Sequence, residues 1–501
     1  MLSLYQTLAE NFYPERADFT TIRNVGTELA DQLVASDPVL MRRDLGNSLS
    51  SMLRDGDWFK ITTEEDRLDH EAKVWLEWAT KRYKKLLYAK GANFVRSTKQ
   101  GDHDYVTFGQ CALSMERNRK ADGLLVRNWH LRDMAWQDGV DGQTESVSRK
   151  WTPTNHDLIR YFGDKVHPKV TENVKDQPFG LTDIRHIVIP SELYGDDEME
   201  SKFDYVSIFI DVKNHQILEA LGRNNAYYII PRFQTISGSP YAYSPATVIG
   251  LPDARTFQAM TYTILEAGER YTRPPLIATQ NVVRGDVNLS ADGITWVDKD
   301  YDEKLGASLR PLQQDRGGFP IGLELKNSII GVLSSAFYLN KISLPETSRE
   351  MTAYEVQERM KQYRRENLPL FSPIEAEYNG AICEVGFDIA MQSGFMGSPY
   401  DIPKSLRGRD IEFRFESPLS QSQEEKKVAQ FSETNRLLAE AAQTAPDLAM
   451  NVDFDTAFRD ALGGSGAPTA WLKSTEFVQE TRDQIRQARA ESVEALQEAP
   501  Q

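Results

Sequence analysis

Two short acidic motifs have the residue types and spacing of a metal-dependent nuclease. Asp102–Asp104 read "DHD" and Asp453–Asp455 read "DFD". Each carboxylate pair could hold a divalent cation for phosphoryl chemistry. Neither pair has further carboxylates nearby at a matching motif spacing. We therefore expect helix-capping and loop roles for both motifs, and a metal-dependent nuclease remains an alternative to be tested.

A third acidic stretch has the beginning of a calcium-binding loop. Asp298–Glu303 read "DKDYDE", and an EF-hand starts with alternating acidic ligands of this kind. The sixth position of such a loop is a glycine and the twelfth a bidentate glutamate, but here they are Glu303 and Leu309. The stretch is therefore interpreted as a solvated acidic loop that binds no metal.

The common signatures of nucleotide and acyl chemistry do not occur in the sequence. It contains no G-x-x-x-x-G-K-[ST] phosphate loop, no G-x-S-x-G nucleophile elbow and no H-E-x-x-H zinc motif. The seven histidines are scattered singly between His70 and His215. The sequence therefore predicts a protein that is not an enzyme and that needs no cofactor or metal.

The clearest elements are two helices of similar length on either side of a small strand module. The first, residues 251–274, has Pro252 in its opening turn and ends at Pro274. Its predicted apolar face consists of Phe257, Met260, Ile264, Ala267 and Tyr271. Residues 285–300 are polar and alternate like a β-hairpin, with Asp292-Gly293 in the turn. The layout predicts a stalk of two antiparallel helices that carries the strand module at its tip.

The second helix, residues 319–340, carries a stripe of small residues. Its predicted apolar face consists of Leu325, Ile329, Val332, Leu333 and Ala336. Ser328, Gly331 and Ser335 form the stripe, at which another backbone could approach closely. A glycine inside a helix costs about 1 kcal/mol relative to alanine, so tight packing against a neighbour is one reason to keep it.

Composition limits the classes of partner. The formal net charge of the 501-residue chain is -16, so bulk electrostatic binding of nucleic acid is not expected. The longest apolar-rich stretch, Ser328–Leu339, is too short to span a bilayer, so no membrane partner is predicted. Two cysteines, Cys111 and Cys383, indicate buried thiols rather than a disulfide framework.

Six segments of the sequence form a recognisable series along the chain. They are "ANFVRSTKQGDHDYVTFGQCALSM", "SGSPYAYSPATVIGLPDARTFQAM", "RYTRPPL", "GDVNLSADGITWVD", "MTAYEVQERMKQY" and "ESPLSQSQ". In this order they resemble the portal (head-to-tail connecting) proteins of short-tailed, T7-like bacteriophages. The stretch "SGSPYAYSP" before the first helix is less basic than the family's G-R-S-P version, which leaves the contacts of that turn open.

The resemblance implies an α+β, largely helical portal fold that assembles into a twelve-subunit ring around a DNA channel. It divides the chain into a wing (1–250 and 352–420), a stem (251–274 and 319–340), a clip (275–318), a tunnel loop (341–351) and a C-terminal crown (421–501). The ring would lie at one capsid vertex of the virion, after assembly in the host cytoplasm.

The same resemblance implies partners and site residues. The partners are further copies of the chain, the terminase large subunit, the tail adaptor, the major capsid protein, internal core or ejection proteins, and double-stranded DNA in transit. Lys341 and Arg349 in the tunnel loop are predicted to touch DNA phosphates, and Ser328, Gly331 and Ser335 to pack against the adjacent subunit. The predicted docking residues of the clip are Arg284, Asp286, Asp292 and Lys299.

Two other functions stay open on the sequence. The first is a capsid-interior scaffolding or ejection protein, which a closed ring with a through-channel would exclude. The second is the metal-dependent nuclease, which cation-dependent cleavage of DNA would favour. A paired role for Lys341 and Arg349, with acids such as Glu346 or Glu350, is the alternative to phosphate contact.

Overall fold

The computed structural model describes residues 1–24, 26–30, 33–54, 56–63, 68–274, 276–278, 309–311, 318–339, 374–415, 418–442, 452–465, 467 and 471–497. The chain divides into two compact units, and each is described by itself. The first comprises Met1–Leu45 and Pro245–Ser343, and the second comprises Gly46–Ser244 and Leu344–Gln501. Within the described ranges helix predominates over strand, so the predicted α+β class is confirmed.

The first unit is built around two long helices. With elements numbered along the chain, it contains α1 (Leu2–Phe12), the start of α2 (Asp37–Leu53), α8 (Leu251–Thr272) and α9 (Gly318–Ala336). Helix α8 begins where the sequence predicts, with Pro252 in its first turn, and it ends just before Pro274. Between α8 and α9 in the chain, β10 (Leu276–Ala278) pairs antiparallel with β11 (Leu309–Pro311).

Aromatic contacts hold α1 against the helix pair. Phe12 is fully buried and meets the ring of Phe337 edge-on, with centroids 5.5 Å apart. A Cβ on Gly250, just before α8, would lie 3.2 Å from the Phe12 ring, so a larger residue would require that ring to move slightly. Between the two long helices, Phe257 is buried and the Lys326 ammonium lies 5.0 Å from its ring centroid. The pair therefore has its own small core.

A single glutamine ties an extended N-terminal segment to α8. The Gln258 side chain accepts hydrogen bonds from the backbone N–H groups of Val34 and Ala35, each at 2.9 Å. Its amide nitrogen donates to the Ala35 carbonyl at 2.7 Å. These backbone groups of Val34 and Ala35 are thus satisfied by a side chain rather than by a neighbouring strand.

The second unit contains a five-stranded antiparallel sheet in which neighbours in sequence are neighbours in space. Its strands are β4 (Met134–Asp138), β5 (Thr144–Trp151), β6 (Ile184–Pro190), β7 (Tyr205–Asp211) and β8 (Gln216–Arg223). Helices α5 (Asn155–Phe162) and α6 (Pro168–Asp176) pack on it. Their shared core contains Leu158, Phe162, Val166, Val170, Ile184, Phe209 and Leu218.

Two smaller sheets and three helices complete the centre of this unit. Strand β2 (Ala112–Arg117) lies between β3 (Leu124–Trp129) and β9 (Tyr228–Ile229), and β1 (Phe59–Thr62) pairs with β12 (Glu412–Phe415). The helices are α3 (His70–Leu87), α4 (Phe94–Phe108) and α10 (Ala381–Gln392). The buried Tyr83 hydroxyl donates to the Ile382 carbonyl at 3.1 Å and so joins α3 to α10.

Three helices form the C-terminal part of the second unit: α11 (Pro418–Ala442), α12 (Phe454–Gly464) and α13 (Thr475–Gln497). The rings of Phe431 and Phe458 lie 6.0 Å apart and link α11 to α12. The helical character predicted from residue 421 onward is confirmed for the parts described. Cys111 and Cys383 are both buried free thiols, as predicted. Among the described residues, no helix has the length and apolar character to cross a membrane.

Candidate functional site

The outer surface of α9 carries a regular row of exposed apolar and small side chains. Ile321, Leu325, Ser328, Val332 and Ser335 follow one another at intervals of four, three, four and three residues. All five are exposed, and Ile321, Leu325 and Val332 are 59%, 53% and 47% exposed. A four-three repeat is the spacing by which one helix packs along another. We call these five residues the α9 seam.

Gly331 leaves the backbone open beside the α9 seam. A Cβ at this position would meet nothing within 4 Å, so the glycine is not required by packing inside the subunit. The exposed Ser335 hydroxyl donates to the Gly331 carbonyl at 2.9 Å within the same helix. The small-residue stripe predicted from the sequence therefore faces outward, where a second backbone can come close.

The apolar residues predicted to form one face of α9 are divided between two faces. Leu333 and Ala336 are buried and Ile329 is half-buried, whereas Leu325 and Val332 are exposed. The prediction of a single face was wrong, because α9 is apolar on both sides and hydrophobic spacing alone does not show which side the subunit covers. One apolar side of α9 is therefore exposed in the single subunit.

Helix α8 has the same two-sided character. On the predicted apolar face, Phe257 is buried, and Met260, Ile264 and Ala267 are half-buried. Tyr271, assigned to that face from its spacing, is 61% exposed, and Tyr262 and Leu265 on other faces are 62% and 59% exposed. Scattered apolar side chains on a surface are ordinary, but a helix pair exposed along both members has the character of an interaction surface.

The remaining predicted site residues lie outside the residues that the structure describes. They are Arg284, Asp286, Asp292 and Lys299 of the predicted clip, and Lys341 and Arg349 of the predicted tunnel loop. Asp298–Glu303, the rejected calcium loop, also lies there. In the chain, residues 279–308 connect strand β10 to strand β11, which pair with each other. The strand module between two helices, predicted from the sequence, is described only at this base.

The "DHD" motif lies inside helix α4 of the second unit, so the expected helix-capping or loop role was wrong for this motif. Asp102 is fully buried and makes a salt bridge with Arg54, whose side chain is 3% exposed. Burial raises the pKa of Asp102, and the Arg54 guanidinium opposes that shift. Asp104 is buried as well and accepts a hydrogen bond from the Asn128 amide at 2.7 Å. Both carboxylates therefore serve the interior, and no solvent-facing pair remains to receive a cation.

The "DFD" motif caps a helix, as the sequence predicts. Asp453 accepts hydrogen bonds from the backbone N–H groups of Asp455 and Thr456 at the start of α12. Asp455 pairs with Arg482 of α13, with one N–O distance of 2.8 Å. Within the described ranges, no group of three or more histidine, cysteine, aspartate or glutamate side chains is arranged to hold a metal.

Sequence reasoning missed the contacts made over long chain separations. Arg54 contacts Asp102 and also donates to the Asn379 side chain at 3.0 Å, across 325 residues. Gln258 reaches the backbone of Val34 and Ala35 across more than 200 residues. The spacing of residues within a local segment does not indicate which distant residues will pair in this way.

Comparison with known proteins gives two findings. A family model described as bacteriophage head to tail connecting protein matches residues 1–472. The portal protein of Salmonella phage epsilon15 is 20% identical to this chain over 456 residues, which cover 88% of this chain and 80% of that protein. The family model extends over the helix pair and into both units.

Proposed function

Because the chain belongs to the bacteriophage head to tail connecting protein family, we propose that twelve copies form a closed ring at one vertex of the capsid. The family is structural, so the chain is a phage portal protein and not an enzyme. In the proposed ring the helix pair is the stem, and the genome passes through the central channel during packaging and ejection. The virion is where such a protein resides.

The observation that supports self-assembly is the exposed α9 seam with the open backbone at Gly331. Covering Ile321, Leu325 and Val332, each about half exposed, stabilises an interface by about 1 kcal/mol per side chain. A second copy of the chain presents exposed Tyr262 and Leu265 on α8, which are of matching apolar character. In this contact α9 of one copy meets α8 of the next, so the two surfaces differ. Repeating such a contact by rotation about one axis produces a closed ring.

The acidic composition suits a channel rather than a DNA-binding surface. A net charge of -16 per subunit, multiplied around a ring, repels the phosphate backbone and favours sliding over adhesion. Dissolved salt screens charges over about 8–10 Å, so one lysine or arginine repeated around the ring attracts only the phosphates close to it. Lys341 and Arg349 are proposed as such a ring, one pair from each tunnel loop. Their contacts with DNA would be transient.

The proposed partners follow from the order of assembly. The terminase large subunit docks on the clip, through Arg284, Asp286, Asp292 and Lys299, and the tail adaptor later takes the same end. The major capsid protein surrounds the ring, internal core or ejection proteins cover its inner end, and assembly takes place in the host cytoplasm. The family match favours a connector over the alternative of a scaffolding or ejection protein.

Electron microscopy of the purified full-length chain tests the proposed assembly. We expect top views of closed rings with a central channel, because the helix-pair surfaces are exposed in the single subunit. The rings should persist at high salt, since the contact is apolar rather than ionic. A protein that stays monomeric at all concentrations, or that forms only open aggregates, would contradict the proposal and would favour the scaffolding or ejection alternative.

A double variant, Lys341→Ala with Arg349→Ala, tests the tunnel loop. Rings should assemble and packaging should start, but the amount of full-length DNA retained in heads should fall, because nothing then hinders back-slippage. The matched control is Lys341→Arg with Arg349→Lys, which keeps both charges and should retain DNA like the wild type. Wild-type retention by the alanine variant contradicts the phosphate contact. Failure of its rings to assemble supports pairing with Glu346 or Glu350 instead.

A further inference from the structure

A buried histidine joins the five-stranded sheet to strand β9 within the second unit. His186 of β6 is fully buried. Its Nδ1 lies 2.5 Å from the hydroxyl of Tyr228 on β9, and its Nε2 lies 2.8 Å from the hydroxyl of Ser207 on β7. The imidazole also stacks on the ring of Phe209, with centroids 4.0 Å apart. The histidine is therefore held from both sheets by hydrogen bonds to its two ring nitrogens.

Arg149 of β5 determines where the protons lie in this contact. Its Nε–H group donates to the Tyr228 oxygen at 2.7 Å. A guanidinium has no acceptor, so the Tyr228 hydroxyl must direct its own proton to another atom. His186 Nδ1 is the acceptor at hydrogen-bond distance, so the imidazole is neutral and its Nε2–H group donates to Ser207. We call His186, Tyr228, Arg149 and Ser207 the His186 cluster.

Two cations face the imidazole. Arg149 lies directly opposite His186 in the β5–β6 ladder, and its buried guanidinium lies 3.8 Å from the centroid of the Trp129 ring. Arg223 of β8 lies over the ring of Tyr227, which in turn meets the imidazole edge-on with centroids 5.0 Å apart. Burial and these two guanidinium groups hold the pKa of His186 well below its usual range, so the neutral ring persists at neutral pH.

Among the residues that the structure describes, no carboxylate contacts the imidazole. Glu116 of β2 lies beyond Tyr227, accepts a hydrogen bond from its hydroxyl at 2.9 Å and pairs with Arg127 at 3.3 Å. Burial raises the pKa of Tyr227 and of Tyr228, so both hydroxyls stay neutral. The other carboxylates on the strands around His186 are Asp211 at the end of β7, bonded to Asn214, Glu219 of β8, paired with Lys165, and Glu145 at the start of β5.

Protonation of His186 removes the hydrogen bond to Tyr228. With a proton on Nδ1, the Tyr228 oxygen faces two donors, and its own proton loses its acceptor. The imidazolium also faces Arg149 on the adjacent strand, and like charges directly opposite each other destabilise a sheet. A buried charge without a counter-ion adds to this cost. The closed contact therefore requires the neutral histidine.

We propose that the His186 cluster is a pH-sensitive switch in which protonation of His186 releases β9 from the five-stranded sheet. The switch lies within the second unit and does not depend on ring assembly. In the open state the histidine is exposed to water and binds a proton at about pH 6.5, whereas in the closed state it does not. The stability of the contact is therefore complete above about pH 6.5 and is lost as the pH falls below that value.

Hydrogen–deuterium exchange of the full-length protein tests the switch. Peptides that contain β6, β7 and β9 are followed from about pH 7.5 to about pH 5, with correction for the intrinsic pH dependence of amide exchange. Below about pH 6.5 the open state binds one proton more than the closed state, so the protection of these strands should fall about tenfold for each pH unit. Protection that stays constant over this range would overturn the proposal.

His186→Gln separates the switch from general sensitivity to acid. Glutamine keeps an acceptor and a donor but has no titratable proton, so the protection of these strands in the variant should not fall below about pH 6.5. The matched control, His156→Gln, makes the same change at an exposed position of α5 and should lose protection like the wild type. If His186→Gln loses protection as steeply as the wild type does, His186 is not the sensor and the proposal is overturned.

Tyr228→Phe gives a second test that leaves the histidine in place. The phenyl ring occupies the same position, but no hydroxyl then opposes a proton on His186 Nδ1. The closed state of this variant binds the proton more readily than that of the wild type. Its total loss of protection between about pH 6.5 and about pH 5 should therefore be smaller than in the wild type. An equal loss would overturn the proposal, because the acid sensitivity would then not come from this hydrogen bond.

Discussion

Gly331→Leu is expected to abolish ring assembly while leaving the fold of the subunit intact. Nothing lies within 4 Å of the added Cβ, and Gly331 is exposed, so the leucine side chain can extend into solvent in the isolated chain. Replacing a helical glycine also removes its intrinsic penalty of about 1 kcal/mol. In the ring, however, the same side chain overpacks each contact at a cost of about 1–3 kcal/mol. Size-exclusion chromatography with light scattering should show monomer, with an unchanged circular-dichroism spectrum.

The control for this variant is Gly463→Leu. Gly463 is an exposed helical glycine in α12, and a Cβ there also meets nothing within 4 Å. This substitution makes the same chemical change away from the helix pair, so its rings should form like those of the wild type. If Gly331→Leu elutes as the same ring with the same thermal midpoint, the stripe of Ser328, Gly331 and Ser335 is not at a subunit contact.

The helix pair could be predicted because its signals are local. Proline in a first turn, an acid beside it and a proline after the last turn define α8 within its own segment. Which side of a helix faces outward is a different question. Leu325 and Leu333 are the same residue type on one helix, yet one is 53% exposed and the other is fully buried. Only the packing of α8 against α9 separates them.

The acidic motifs show the same division between local and long-range information. Asp453 could be predicted to cap a helix because its partners are the next few backbone N–H groups. Asp102 has the same residue type and the same Asp-x-Asp spacing, but its role depends on Arg54, which is 48 residues away. Nothing in the triplet "DHD" indicates that its first carboxylate is buried in an ion pair. The nuclease alternative arose from that missing information.

Asp102→Asn is expected to produce the largest loss of stability in the second unit. Asparagine has nearly the same size as aspartate, but it leaves the buried Arg54 cation without its carboxylate. Removing one partner of a buried pair costs about 3–5 kcal/mol. Spread over the unfolding entropy of a unit this large, the change lowers the thermal midpoint by about 5 °C. Differential scanning calorimetry of the purified variant measures it.

The matched control, Asp57→Asn, breaks an ion pair at the surface. Asp57 is 79% exposed and lies 2.8 Å from the Lys84 ammonium, so its loss costs at most about 1 kcal/mol. The two variants also separate a structural aspartate from a catalytic one. A metal ligand replaced by asparagine would lose cation-dependent DNA cleavage while its thermal midpoint stayed near that of the wild type. If the wild type cleaves DNA and Asp102→Asn loses that activity at an unchanged thermal midpoint, the nuclease alternative is supported. If the midpoint of Asp102→Asn drops and neither protein cleaves DNA, Asp102 has a structural role in the interior.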